Sequence, residues 1–190
     1  RRVAGAHFLA VSGDAGRVAA LNGASGRVLV MDRKGLALYD RAIGRDWAGR
    51  MAGDLALSGD RVYLADQGGN RILVRGIDGT AIGEFPTHDG SARVDIGPEG
   101  DVYVLGRGGY GLRYTPEGEL VAAWRMPEEH AGVPVAATDM TVGDDGRVYV
   151  SFVGLAESES GPDGSGRSTG YDIDAGGVTR LLTRTIVAGD

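Results

Sequence analysis

Short apolar runs punctuate the chain at close intervals, as in RVYLA at 61–65, RILV at 71–74 and DVYVL at 101–105, each bounded by Gly, Asp or Asn. Apolar and polar positions alternate within them, and long stretches with the 3.6-residue period of a helix are absent, so each run reads as a β-strand. Between Asp54 and Phe85 four such runs follow one another, DLALSG, RVYLAD, NRILVRG and TAIGEF. Gly, Asp and Asn fill the links, and these residues suit tight turns because they tolerate positive φ or bond their own backbone. The segment predicts a four-stranded antiparallel meander.

The stretch DRVYLADQGGNRILVRGIDGTAIGEF, residues 60–85, returns as VDIGPEGDVYVLGRGGYGLRYTPEGELVAAW at 94–124. Val62-Tyr63 matches Val102-Tyr103, Gly68-Gly69 matches Gly108-Gly109, and the Asp78-Gly79 turn matches Glu117-Gly118. A further copy begins at MTVGDDGRVYVSF, residues 140–152, and a weaker one is FLAVSGDAGRVAALNGASGRVLVMDRKGLALYD near the start. With Val18, Val62, Val102 and Val148 as anchors the spacings are 44, 40 and 46 residues. Periods of this length mark a solenoid, an array or a propeller, and four antiparallel strands per period are the blade of a β-propeller. The expectation is an all-β chain of about four blades in one domain over 1–190, with units near 6–44, 50–86, 92–126 and 136–188 and an insertion at 154–176 in the last.

Composition sharpens this reading in three ways. The 190 residues hold 34 glycines and only 6 prolines, which suits many tight turns and short strands. A net charge of -6 supplies no basic field, so nucleic acid is not expected as a partner. No run of 18 apolar residues is present, which excludes a helical membrane span in these residues, and the absence of cysteine removes disulfides, thiolate nucleophiles and Cys-based zinc sites together.

VYLADQGGNRILVRGIDGTAIGEF and VYVLGRGGYGLRYTPEGELVAAW resemble the NHL repeat family, in which a strand ending in Ala-Asp leads through a glycine-rich loop to Asn-Arg-Ile and an Asp-Gly turn. The third unit departs from that pattern, with Gly106 at the place of Asp66 and Gly111 near that of Asn70. The resemblance implies a propeller, usually six-bladed, used mostly to bind proteins or other macromolecules, with some related scaffolds acting as lyases or hydrolases. Six blades at this period need roughly 250 residues. Leaving two blade faces bare exposes on the order of 800 Å² of apolar surface, a cost of about 20 kcal/mol against the roughly 5–15 that stabilises a domain. The four units are therefore expected to belong to a larger propeller, or else to close as a small ring or against a partner.

Candidate binding residues lie in the turns between second and third strands and in the insertion. They are Asp66, Gln67, Asn70 and Arg71 in the second unit, Arg107 and Tyr110 in the third, and Glu157, Glu159 and Arg167 in the insertion. Asp66 has a plainer role open to it, capping the turn with its carboxylate while Arg71 packs its stem against the next blade. Tyr110 beside an arginine has the make-up of an interface anchor. His7, His88 and His130 show no zinc spacing, and no Gly-x-Ser-x-Gly elbow occurs. Gly-Arg-Gly-Gly-Tyr-Gly at 106–111 leads into strands rather than the helix a dinucleotide fingerprint needs. Asp144-Asp145 and the Asp172, Asp174 pair lack the spaced oxygen set of a calcium loop. Trp47 and Trp124 suit blade packing or a rim position.

No catalytic residue, cofactor or resident metal is therefore expected. The leading expectation is a noncatalytic propeller module that binds a protein within a larger assembly, in the periplasm or outside a bacterial cell. The alternatives are an enzyme of the propeller lyase or lactonase kind with a metal on the axis, and an extracytoplasmic sensor domain anchored upstream.

Overall fold

The computed structural model describes residues 16–22, 26–42, 52–87, 90–106, 108–130 and 133–154. Every described element is a strand, and the strands form four antiparallel sheets in chain order. The first sheet comprises β1 (Arg17–Asn22), β2 (Arg27–Asp32) and β3 (Ala37–Ala42). In the second, β4 (Ala52–Ser58), β5 (Arg61–Asp66), β6 (Arg71–Gly76) and β7 (Ala81–Pro86) pair as a simple meander. The third repeats that plan with β8 (Ser91–Ile96), β9 (Val102–Gly106), β10 (Tyr110–Tyr114) and β11 (Leu120–Arg125). A fourth contains β12 (Glu129–His130), β13 (Val133–Val142) and β14 (Val148–Gly154). β4 lies beside β8 and β8 beside β13, so these strands are the innermost of the second, third and fourth sheets, as the first strands of propeller blades are.

Three hydrophobic cores lie between successive sheets. Ala19, Leu21, Val28 and Val30 of the first sheet meet Leu55, Leu57, Val62, Leu64 and Leu73 of the second. The opposite face of the second sheet, with Ala56, Tyr63, Ala65, Ile72, Val74 and Phe85, meets Val94, Val102, Val104, Leu112 and Tyr114 of the third. Tyr103, Leu105 and Met126 then meet Met140, Val148, Val150 and Phe152.

This stacking corrects the alternating pattern expected for the central strands. β5 is buried without a break from Val62 to Asp66, and β9 throughout. Successive side chains point to opposite faces, and both faces of a blade are covered, so odd and even positions enter different cores. The outermost strands β3, β7 and β11 are instead largely exposed, Leu38, Ile82, Leu120 and Val121 among them. His130, between the units expected at 92–126 and 136–188, stands in the short strand β12, which pairs with the start of β13.

The innermost strands carry an unpaired edge, and aspartates of the preceding blade answer it. Asp54 Oδ2 accepts from Val94 N across the second seam at 3.2 Å. Asp95 Oδ2 accepts from Val142 N at 2.8 Å across the third, and from Thr141 Oγ1 at 2.8 Å. Edge N–H groups that would otherwise invite foreign pairing are thereby satisfied at these two seams.

Candidate functional site

An antiparallel meander places alternate turns on opposite rims. The upper rim holds the turns between second and third strands together with the crossovers from one blade to the next. The lower rim holds the turns that join first to second strands.

On the upper rim of the second blade, the Asp66 side chain is wholly enclosed. Its Oδ1 accepts from Gly69 N at 2.9 Å and its Oδ2 from Arg71 Nε at 2.9 Å. Arg71 reaches outward with Nη1 to Glu84 Oε2 at 2.8 Å. The guanidinium thus joins two carboxylates, one buried and one exposed. Asn70 adopts φ 49°, the left-handed region. From there its backbone O accepts from Thr87 N, and its Oδ1 from Gly90 N, both at 2.8 Å, so it fastens the crossover into the third blade. Gln67 is half-buried in the same turn.

The third blade builds the corresponding turn one residue shorter. Leu105 pairs with Gly111 where Ala65 pairs with Ile72, so strand register puts Gly109 in the place of Asn70, Tyr110 in that of Arg71 and Gly111 in that of Ile72. The glycine expected near Asn70's position is therefore Gly109, not Gly111. Its φ is 77°, and its O accepts from Met126 N at 2.7 Å, as Asn70 O accepts from Thr87 N. Gly111 has a separate reason to lack a side chain, because any Cβ there would strike the Trp124 indole. Trp124 packs into the third core, consistent with the blade-packing role open to it. Tyr110 is half-buried under the Arg125 guanidinium, which lies 5.4 Å from its ring centroid and also pairs with Glu128.

The structure therefore brings Asp66, Gln67, Asn70 and Arg71 into one turn and sets Tyr110 at the matching place of the next blade. Arg107, Glu157, Glu159 and Arg167 lie outside the described residues, as do Trp47, His7, His88 and the Asp172, Asp174 pair.

Sequence reasoning missed a row of charges on the innermost strands. Strand register aligns Asp54, Arg93 and Asp139, each one residue before a core residue that pairs with the second strand. Arg93 Nε donates to Asp139 Oδ1 at 3.0 Å. Burial pushes Asp54 up to about 6, against the pull of its bonds from Val94 N and Leu55 N and of the Arg93 charge. A repeat alignment alone could have shown that charged residues recur at this position, but not that they come together.

On the lower rim the Gly97–Asp101 and Gly143–Arg147 turns share one hydrogen-bond plan, Gly97 N to Asp101 O and Gly143 N to Arg147 O. Asp145 Oδ1 accepts from Arg147 N at 3.0 Å, an ordinary turn cap. Between these turns opens a cavity of about 460 Å³ lined by Glu99, Asp101, Tyr103, Arg113, Asp144 and Asp145 with neighbouring turn backbone. Among the described residues no group of three or more His, Cys, Asp or Glu side chains is arranged to hold a metal ion. No described helix is long and apolar enough to cross a membrane.

Solved structures with this fold are β-propeller proteins. A streptogramin B lyase superposes with a TM-score of 0.60 and 15% identity, over 82% of this chain and 53% of that one. A catalytically inactive virginiamycin B lyase from Staphylococcus aureus with quinupristin gives 0.61 and 14%, over 82% and 54%. BBS1N in complex with ARL6DN gives 0.54 and 13%, over 78% and 47%. The chain is a partial propeller. It spans about half the length of these proteins, and likeness at such identities is likeness of fold. No protein-family model matches the chain, and no curated protein does.

Proposed function

We propose that this chain is part of a larger, NHL-like propeller that serves as a noncatalytic binding module for another protein, engaged through the upper rim. The observation that carries the reading is the Tyr110–Arg125 pair. A half-buried aromatic ring under a guanidinium, on a turn fixed by the bond from Met126 N to Gly109 O, is rigid before any partner arrives. Tyr and Arg are the side chains that most often anchor interfaces, and a preorganised pair loses little entropy on binding. Gln67 and Arg71 extend the same rim. BBS1N, in complex with ARL6DN, is a fold neighbour found with a protein partner. The Gly- and Ala-rich composition is the ground for including a periplasmic or secreted setting in this reading.

The test is a photo-crosslinking residue at position 67, on the upper rim, compared with one at Lys34, in the turn between β2 and β3. A partner should crosslink from position 67 and not from 34, and Tyr110→Ala with Arg125→Ala should abolish the product while leaving the thermal midpoint unchanged. Equal products from both positions, or a product indifferent to the pair, would remove the basis of the reading.

One observation favours a second reading. Asp54, raised to about 6 beside Arg93 and Asp139, has the perturbed carboxyl that enzyme sites often use, and two of the fold neighbours are lyases. On that reading the innermost strands would bear acid–base chemistry in the complete ring. Turnover abolished by Asp54→Asn at unchanged stability would establish it over the first.

A further inference from the structure

The third strand of a blade seals the seam against the blade before it. Leu73 of β6 enters the first core, and Leu112 and Tyr114 of β10 enter the second. Tyr114 lies over Phe85 with ring centroids 4.7 Å apart, and its Oη donates to Pro86 O at 2.8 Å. At the third seam the described residues of the fourth blade come from β13 and β14 alone. β14 ends its sheet, paired among the described residues only with β13.

Trp124 marks the same seam from the other side. Strand register sets it opposite Gly111 as Phe85 is set opposite Ile72, so it holds Phe85's place one blade on. Phe85 is buried, whereas Trp124 is half-buried, and its enclosed indole Nε1 has no hydrogen-bond partner. Buried donors are almost always paired, so the seam calls for a further element over this ring.

The chain carries a segment that matches the place. RLLTR at 180–184 repeats RILVR at 71–75, the body of the third strand in the second blade, with Leu181 for Ile72 and Thr183 for Val74. We propose that residues 180–184 are the third strand of the fourth blade and pair antiparallel with β14. Val148, Val150 and Ser151 correspond to Val62, Leu64 and Ala65, so the register of β5 with β6 puts Arg184, Leu182 and Leu181 opposite them in turn. β9 and β10 keep that register. Leu182 then enters the third core beside Val150, as Leu73 and Leu112 enter the first and second. Arg184 takes the place of Tyr114 and brings a guanidinium to the Trp124 ring, a favourable contact for an indole face.

The excursion between the second and third strands becomes 155–179, and closure entropy grows only slowly with such length. It leaves from the upper rim, so Glu157, Glu159 and Arg167 join the face that bears Gln67 and Tyr110. The pairing does not depend on the protein-binding reading, because a blade needs its third strand whether or not its rim is engaged.

Disulfide trapping in the full chain tests the pairing directly, since the protein has no cysteine of its own. Ser151→Cys with Leu181→Cys, or Val150→Cys with Leu182→Cys, should close within one chain under mild oxidation, because facing Cβ atoms on paired strands lie about 4.5–5.5 Å apart. Ser151→Cys with Leu182→Cys, whose side chains would point to opposite faces, should stay reduced. A second measurement needs no cysteine. In the Trp47→Phe background, Leu182→Asp should shift Trp124 emission to the red, and Thr183→Asp, on the far face, should not. Closure of either matched pair together with the Leu182→Asp shift supports the proposal. Matched pairs that both stay reduced, a mismatched pair that closes as readily, disulfides formed only between two copies, or emission indifferent to Leu182→Asp would each overturn it.

Discussion

In the second blade the upper turn is held by side chains, with Asp66 gathering Gly69 N and Arg71 while Asn70 ties down the crossover. In the third, Gly106 and Gly109 stand at the places of Asp66 and Asn70, and the backbone makes the turn with one residue fewer. Both blades send the same carbonyl to the same crossover amide, so the architecture constrains backbone hydrogen bonds and leaves their support free. The difference continues inward, where Asp54 in one blade faces Arg93 in the other, and downward, where Arg61 gives way to Asp101. Neighbouring blades diverge in charge because each seam needs complementarity across it, not likeness along the chain.

The largest effect should come from removing the buried acceptor that only the second blade uses. Asp66→Ala removes the carboxylate from Gly69 N, which keeps the Asp66 carbonyl, and from the Nε of Arg71, which keeps Glu84 through Nη1, and hydrogen bonds to a charged group are worth about 1.5–3 kcal/mol each. Urea denaturation should show that loss. A negligible change would mean that the second blade, like the third, carries its turn on backbone alone.

A smaller effect, readable in pH, separates the innermost strands. Asp54 is raised from 3.8 to about 6 in the folded protein, so the folded state holds its proton more tightly than the unfolded one. The stability this contributes is complete below pH 4 and is lost as pH rises toward 6, a swing on the order of 2 kcal/mol. Asp54→Asn should flatten that part of the stability profile. An unaltered slope between pH 4 and 6 would contradict the burial assigned to this carboxyl.

The glycines of the third turn give one effect of comparable size and the smallest of all. Gly111→Ala drives a methyl into Trp124 and should cost about 1–3 kcal/mol, as overpacking does. Gly109→Asn copies the second blade's residue at an equally left-handed position and should change stability by less than about 0.5 kcal/mol, since Asn tolerates that region. Thermal melts of the two variants should differ in that order, and reversed costs would mean that the register equating Gly109 with Asn70 is wrong.

Strands, tight turns and the period near forty residues were legible along the chain because they rest on local chemistry: glycine and aspartate at turns, branched and aromatic residues between them. The turn-capping option read for Asp66 follows from the same local logic, since an aspartate three residues before a glycine N–H can reach it without help from elsewhere. The Asp54–Arg93–Asp139 row, the seam bonds of Asp54 and Asp95, and the cavity beneath Tyr103 were not legible, because each joins residues about forty positions apart.

The sequence by itself determined that this protein is a series of small antiparallel sheets, since strand and turn propensities act within a few residues. Tertiary stacking alone decided that RVYLAD is buried on both faces, that Gly109 rather than Gly111 answers Asn70, and which carboxylates are spent across a seam. Burial and pairing depend on what a neighbouring blade brings to the surface, and no single unit of the repeat contains that information.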